Sequence, residues 1–225
     1  MKKAILFDLD GTILDFEKSE EMALKKTFLS HGIPLTEEQV LLYRHINRKW
    51  WGMLAEGRAS KEYVVVARFE EFLRELEVSL DPKIVAKEYL EFLSEEAYFL
   101  PGAEEFLEKM KRKNIRMASI TNGVYFVQKK RSRKLKLERF FEFVLTSEEA
   151  GFEKPDPRIF QVALERMRLK KEDALYVGDD LKSDLEGAKN AGIDFIFFSP
   201  RGDVSTKFPV AKSFEELERI MEELL

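Results

Sequence analysis

The hydrophobic pattern changes period along the chain. Ala4-Ile5-Leu6-Phe7 is an uninterrupted apolar run, short enough for a strand buried on both faces. Comparable runs recur at 115–120, 143–146, 174–177 and 193–198, and residues with helical spacing separate them. The segment 101–113 places Phe106, Leu107 and Met110 on one face, and 123–136 reads as a helix. Asp156 precedes Pro157 as a helix cap, with Phe160, Val162, Ala163, Leu164 and Met167 behind it. Ser183 and Glu186 have capping-box spacing for a helix reaching Ala191, with Gly192 as its C-cap. Ser213 and Glu216 repeat the box before a final helix whose inner face carries Leu217, Ile220, Met221 and Leu224. Strands alternating with crossover helices predict an α/β fold with a Rossmann-like, doubly wound, largely parallel sheet.

Residues 16–97 break this rhythm and read as helix throughout. The pattern predicts helices over 17–31, over 36–56 behind a Thr36/Gln39 capping box, over 60–76, and over 82–97 behind an Asp81 cap. The expected organisation is a core built from 1–15 and 98–225, interrupted by an α-helical cap domain at 16–97. Leaving just after the first strand and returning before the second, the insert is expected to lie as a lid over the carboxyl ends of the strands.

Composition narrows the chemistry. The 225 residues are 44% hydrophobic and 36% charged, with no apolar stretch of membrane-spanning length. Met1-Lys2-Lys3 runs directly into the first strand, so no cleaved leader is expected and the cytoplasm is the expected compartment. With no cysteine, thiolate nucleophiles, cysteine-ligated zinc, iron–sulfur clusters and disulfides are excluded. His31 and His45 fall in no triad or metal spacing and are read as surface or helix-face residues. A net charge of -4 offers no general attraction to nucleic acid or to an anionic membrane.

Each strand end instead carries a polar signal. Asp8-Leu9-Asp10-Gly11-Thr12 follows the first strand, Thr121-Asn122-Gly123 the second, Glu153-Lys154-Pro155 comes shortly after the third, and Gly178-Asp179-Asp180-Leu181-Lys182-Ser183-Asp184 follows the fourth. Ligands of open α/β sheets bind at these ends, so the four clusters are expected to converge. In extended backbone, residues i and i+2 share a side, which would aim Asp8 and Asp10 into one small volume. There either a cation neutralises them or one carboxylate keeps its proton. Hydroxyl and backbone N–H groups at Thr121 and Asn122 suit an oxyanion, and Lys154 adds positive charge. Several carboxylates and a lysine without histidine or cysteine point to a hard divalent ion, Mg2+, and to phosphoryl transfer. One carboxylate would attack phosphorus while another protonates the leaving alcohol.

These motifs, in this order, resemble the haloacid dehalogenase-like hydrolase superfamily over essentially the whole chain. The resemblance implies that Asp8 is the nucleophile, Asp10 the general acid/base with its carbonyl on the metal, Thr121 a phosphate anchor and Lys154 the charge-neutralising base. It implies Asp179 as a further metal ligand, with Asp184 on the metal directly or through water, and leaves Asp180 between metal contact and helix cap. Dehalogenase members lack the second aspartate, so Asp10 implies a phosphatase. The wording from Thr12 to Phe16, and from Thr121 through Gln128-Lys129-Lys130-Arg131 to Pro155, resembles the house-cleaning pyrimidine 5′-nucleotidase branch. The implied substrate is a small phosphate ester, a nucleoside 5′-monophosphate. Phosphoglycolate, a sugar phosphate or phosphoglucomutase-like chemistry is the alternative. The implied state is a monomer or small homo-oligomer.

Three features stand outside that scheme. Phe16 either lines the substrate site or packs the hinge into the insert. Trp50 and Trp51 suggest a stacking platform, but adjacent helical residues cannot face one way, so packing between helices is the preferred reading. The basic run 129–136 is read as a solvated helix face rather than a nucleic-acid contact.

Overall fold

The computed structural model describes residues 2–200, 202 and 207–224. The chain divides into two compact units, one formed by 1–16 with 97–225 and the other by 17–96.

The first strand, β1 (Ala4–Phe7), is fully buried. The helical unit follows as α1 (Phe16–Ser30), α2 (Glu37–Ala55), α3 (Lys61–Glu75) and α4 (Pro82–Glu95). The chain then alternates through α5 (Ala103–Arg112), β2 (Arg116–Thr121), α6 (Tyr125–Leu135), β3 (Val144–Thr146), the single turn α7 (Ser147–Ala150), α8 (Pro157–Met167) and β4 (Ala174–Gly178). It ends with α9 (Glu186–Ala191), β5 (Asp194–Phe198), β6 (Val210–Ala211) and α10 (Phe214–Leu224). The strands form one parallel sheet in the order β3-β2-β1-β4-β5-β6. The α/β class and the doubly wound order agree with the alternating pattern of the sequence.

Strand periodicity explains the two-sided core. Ile5 and Phe7, Leu175 and Val177, and Ile196 and Phe198 pack with α5 and α10 on one face. Their neighbours Ala4 and Leu6, Ala174 and Tyr176, and Phe195 and Phe197 pack with α8 and α9 on the other. Successive side chains alternate between faces, so uninterrupted apolar runs are what this architecture requires. Because β1 lies between β2 and β4, with Phe7 opposite both Ser119 and Val177, whatever follows Phe7 emerges in the middle of one sheet edge.

Local capping accounts for most element starts. Thr36 and Gln39 form the reciprocal box at α2, Ser60 accepts from Tyr63 N–H at α3, and Asp81 and Asp156 cap α4 and α8 ahead of their prolines. One capping expectation fails. Residues Leu181–Leu185 form a π-helical turn whose cap is Asp180, not Ser183. Its carboxylate accepts from the backbone N–H of Lys182 and Ser183 at 3.0 and 2.7 Å and from the Ser183 hydroxyl at 2.8 Å. A carboxylate satisfies several orphan donors together, which a serine hydroxyl does not. Strand β6, at two residues, is too short for the hydrophobic pattern to mark.

The helical unit has its own aromatic core. Phe28 and Phe72 meet edge-on at 5.3 Å between ring centres, and Tyr43 lies 5.2 Å from both Phe69 and Phe72. Trp50 stands edge-on to Tyr63 at 5.6 Å and donates its indole N–H to Glu71, while Trp51 lies 6.0 Å from the Arg68 guanidinium. Both tryptophans thus contact α3, in line with the packing reading. His31 contacts Glu88, and His45 is exposed. Among the described residues no helix is long and apolar enough to cross a membrane.

Candidate active site

At the carboxyl edge of the sheet, β1 stays paired one residue beyond its end through Asp8 N–H to the Val177 carbonyl at 2.9 Å, and Asp8 is buried. The chain then folds back tightly. The N–H groups of Ile13 and Leu14 donate to the Leu9 carbonyl, and Gly11 N–H donates to Leu14. Gly11 has φ +92°, and a Cβ there would lie 2.2 Å from the Asp179 carboxylate. Both the backbone conformation and the close approach demand glycine.

Asp184 reaches the same place from the turn after β4. Its carboxylate accepts from the backbone N–H of Asp179 and Asp180, each at 3.1 Å, and from the Tyr176 hydroxyl at 2.7 Å. A Cβ on Gly178 would stand 2.5 Å from this carboxylate. Asp179 accepts from the Thr12 hydroxyl at 2.9 Å, which joins the first motif to the last. Oxygens of Asp8, Asp179 and Asp184 lie within 4.8 Å of one another.

Lys154 is the cation of this cluster. Its ammonium lies 2.5 Å from Asp8, 2.6 Å from Asp184 and 3.0 Å from the Tyr176 hydroxyl, with the side chain 2% exposed. Asn122 places it: Lys154 N–H donates to Asn122 Oδ1 and Asn122 Nδ2 donates to the Lys154 carbonyl, both at 2.9 Å. The second and third motifs are therefore bound through main chain. Thr121, buried at the end of β2, accepts from Gly123 N–H at 3.0 Å. It does not cap α6, which starts four residues later.

The electrostatics follow from burial. Burial pushes the Asp8 carboxyl up to about 8, with Lys154 opposing and Asp184 and Asp10 reinforcing the rise. Burial disfavours the charge on Lys154, but Asp184 and Asp8 outweigh it and hold the ammonium well above its ordinary range. Although some Asp179 surface remains exposed, burial together with Asp8 and Asp184 holds its carboxyl well above the usual carboxylate range. Among the described residues a single ammonium faces these three carboxylates, so ionising all three would leave negative charge uncompensated. A cation bound by oxygen would relieve it, and the donor set suits Mg2+ better than any softer metal.

Two sequence expectations need correction. Asp10 stands near Asp8, but its carboxylate does not share the three-acid volume, because the turn after Leu9 ends the extended geometry on which i, i+2 facing depends. Gln128 Nε2 donates to one of its oxygens at 2.6 Å, and Arg131 Nη1 donates to the other at 2.7 Å. Arg131 is therefore no part of a solvated face: its side chain is fully buried against Asp10. The exposed-face reading holds for Lys130, Arg133, Lys134 and Lys136. Asp180, exposed, serves as the helix cap described above. Phe16 lies half-buried at the first residue of α1.

Four residues of this constellation carry no role in the sequence reading: Thr12, Gln128 and Arg131, which occur there only as motif wording, and Tyr176. Gln128 and Arg131 did leave a trace, since a spacing of three puts them on one helix face.

Comparison with known proteins agrees with this geometry. Pyrimidine 5′-nucleotidase PynA of Streptococcus pneumoniae is 30% identical over 88% of this chain and 84% of its own length. Glyceraldehyde 3-phosphate phosphatase of Pyrococcus furiosus is 33% identical over 87% of this chain and 80% of its own. The crystal structure of the HAD-hydrolase YfnB from Bacillus subtilis, bound to magnesium, superposes with a TM-score of 0.91 at 32% identity over 98% of each chain. A family model described as haloacid dehalogenase-like hydrolase matches residues 2–192, and with these relatives it establishes that the chain belongs to the haloacid dehalogenase-like hydrolases.

Proposed function

We propose that the protein is a cytoplasmic Mg2+-dependent phosphomonoester hydrolase that works through an aspartyl-phosphate and acts on nucleoside 5′-monophosphates. The observation that carries the reading is the Asp8–Lys154–Asp184 contact, with Asp179 beside it, at the edge where parallel-sheet proteins bind ligands.

In this reading Asp8 attacks phosphorus, the bond to the leaving oxygen breaks, and the phosphoryl group is held as a mixed anhydride with the Asp8 carboxyl. Asp10 gives a proton to the departing alkoxide and then takes one from the water that releases phosphate. Lys154 offsets charge on the phosphoryl oxygens, and its fixed position through Asn122 keeps that charge aimed. Thr121 contributes its hydroxyl, and Asn122 its backbone N–H, because the Asn122 amide is committed to Lys154. Asp8, Asp179 and Asp184 with the Asp10 carbonyl would hold Mg2+, which when bound adds positive charge opposite the phosphate. Residues 17–96 are read as the cap domain, and Phe16 immediately precedes them.

The nucleotide assignment is supported by the likeness to PynA, and the likeness to the glyceraldehyde 3-phosphate phosphatase supports a triose or sugar phosphate as the second reading. Phosphate release from a panel of nucleoside monophosphates, sugar phosphates and phosphoglycolate, with Mg2+ and with chelator, decides between them. The expected result is chelator-sensitive release, greatest with nucleotides. A preference for sugar phosphates replaces the substrate, and chelator-insensitive release refutes the metal.

A further inference from the structure

We propose that Gln128 and Arg131 are positioning residues that fix the orientation of the Asp10 carboxylate for proton transfer to the leaving group. The inference rests on the reading of Asp10 as general acid. It extends that reading to a pair of side chains from a different element of the same unit.

The geometry is that of a two-point clamp. A carboxylate held through one oxygen still swings about its last side-chain bond; held through both, its plane is set. Arg131 Nη1 donates to Oδ1 at 2.7 Å and Gln128 Nε2 donates to Oδ2 at 2.6 Å. Both donors come from the first two turns of α6, whose backbone is packed beside β3. Gln128 is itself fixed: it is 1% exposed, and its amide lies so close to Gly123 that a Cβ there would stand 2.0 Å from Nε2. Arg131 is 0% exposed, whereas the Asp10 side chain keeps 22% of its surface open. Both donors are thus buried, while part of the carboxylate they hold remains accessible.

Burying a guanidinium is costly unless its partner is fixed, so an arginine here in the middle of an otherwise solvated basic run is not explained by helix formation alone. A general acid must sit within hydrogen-bond reach of the leaving oxygen, and small errors of placement reduce rate steeply. A clamp on Asp10 meets that requirement without touching the phosphate.

The competing explanation is that Arg131 merely ties the first loop to α6. The two differ in how their loss depends on the leaving group. Phenyl phosphate and 4-nitrophenyl phosphate have nearly the same size, but phenolate is the poorer leaving group and needs the proton more. With Mg2+ present, kcat/KM is measured for both esters in the natural protein, Arg131→Met, Gln128→Met, Asp10→Asn and the double variant Arg131→Met/Asp10→Asn, with thermal unfolding followed for each.

The clamp predicts that Arg131→Met and Gln128→Met lower kcat/KM for phenyl phosphate about tenfold or more beyond their effect on 4-nitrophenyl phosphate. It also predicts that Arg131→Met changes that selectivity by less than about twofold once Asp10 is Asn. Gln128→Met removes no charge, so it tests the clamp even if Arg131→Met folds poorly. Equal losses on both esters, or an undiminished Arg131 effect in the Asn background, overturn the clamp while leaving Asp10 as the acid. A gain in activity on release of Asp10 overturns it as well. If Asp10→Asn itself shows no leaving-group dependence, the acid role fails and the clamp falls with it.

Discussion

Two networks of buried charge, one in each unit, are built to opposite balances. At the sheet edge, Asp8, Asp179 and Asp184 face the single ammonium of Lys154. In the helical unit, one buried carboxylate, Glu20, accepts from Asn47 Nδ2 at 2.7 Å and lies 3.4 Å from Arg44, while Arg68 donates to the same Asn47 amide at 2.7 Å. The Arg68 guanidinium also rests about 5 Å from the rings of Phe69 and Tyr89. The helical network carries its own cations. Among the described residues the sheet-edge network has one ammonium for three acids, and desolvation makes that shortage expensive. That imbalance is one that an oxygen-bound cation would relieve.

The largest expected effect breaks the sheet-edge network alone. Asp8→Asn should lower kcat for 4-nitrophenyl phosphate by about 10⁴-fold with the circular dichroism spectrum unchanged. Glu20→Gln should move unfolding far more than turnover. Next, Arg68→Met removes a cation from the helical network and should destabilise the protein by about 3 kcal/mol in urea unfolding, while leaving Mg2+ affinity as it was.

Metal addition should separate the networks in the other direction. Mg2+ at about 100 times its dissociation constant should raise unfolding free energy by about 2.7 kcal/mol. The increment should survive in Arg68→Met and vanish in Asp179→Asn. Failure of both variants to separate in this way would mean the two networks are not independent.

The smallest effect is in pH. Burial, opposed by Arg44 and Arg68, pushes Glu20 up to about 7 from its ordinary 4.5. The folded state therefore keeps a proton that the unfolded chain releases, and stability from this group is complete below pH 4.5 and lost as pH rises through 7. Thermal unfolding of the Mg2+-loaded protein should show a fall of about 2 kcal/mol across that window, flattened by Glu20→Gln.

The same contrast explains what the sequence made legible. Strands β1 and β4, and β5 beyond its exposed Asp194, are buried on both faces, so their apolar runs mark them directly, and Thr36 and Gln39 announce α2 through a purely local box. Asp8, Lys154, Asp179 and Asp184 were legible because each follows a strand or a loop that the pattern locates. The burial of Arg131 was hidden because its spacing from Gln128 places it on a helix face without saying that the face is buried; its partner Asp10 lies 121 positions away. Asp180 and Ser183 compete for one cap, and the choice between them depends on backbone geometry within a π-helical turn that propensity does not register. Strand β6 has too few residues to carry a period.

The central claim, that the uncompensated acids serve a nucleophile at Asp8, is tested most directly by rapid quench of the protein with a phosphate ester and Mg2+, followed by mass spectrometry of the peptides. The account predicts a phosphoryl group on Asp8, absent with chelator and absent in Asp8→Asn. Turnover with the phosphoryl group on another residue, or with Asp8 unmodified throughout the first turnover, would contradict it.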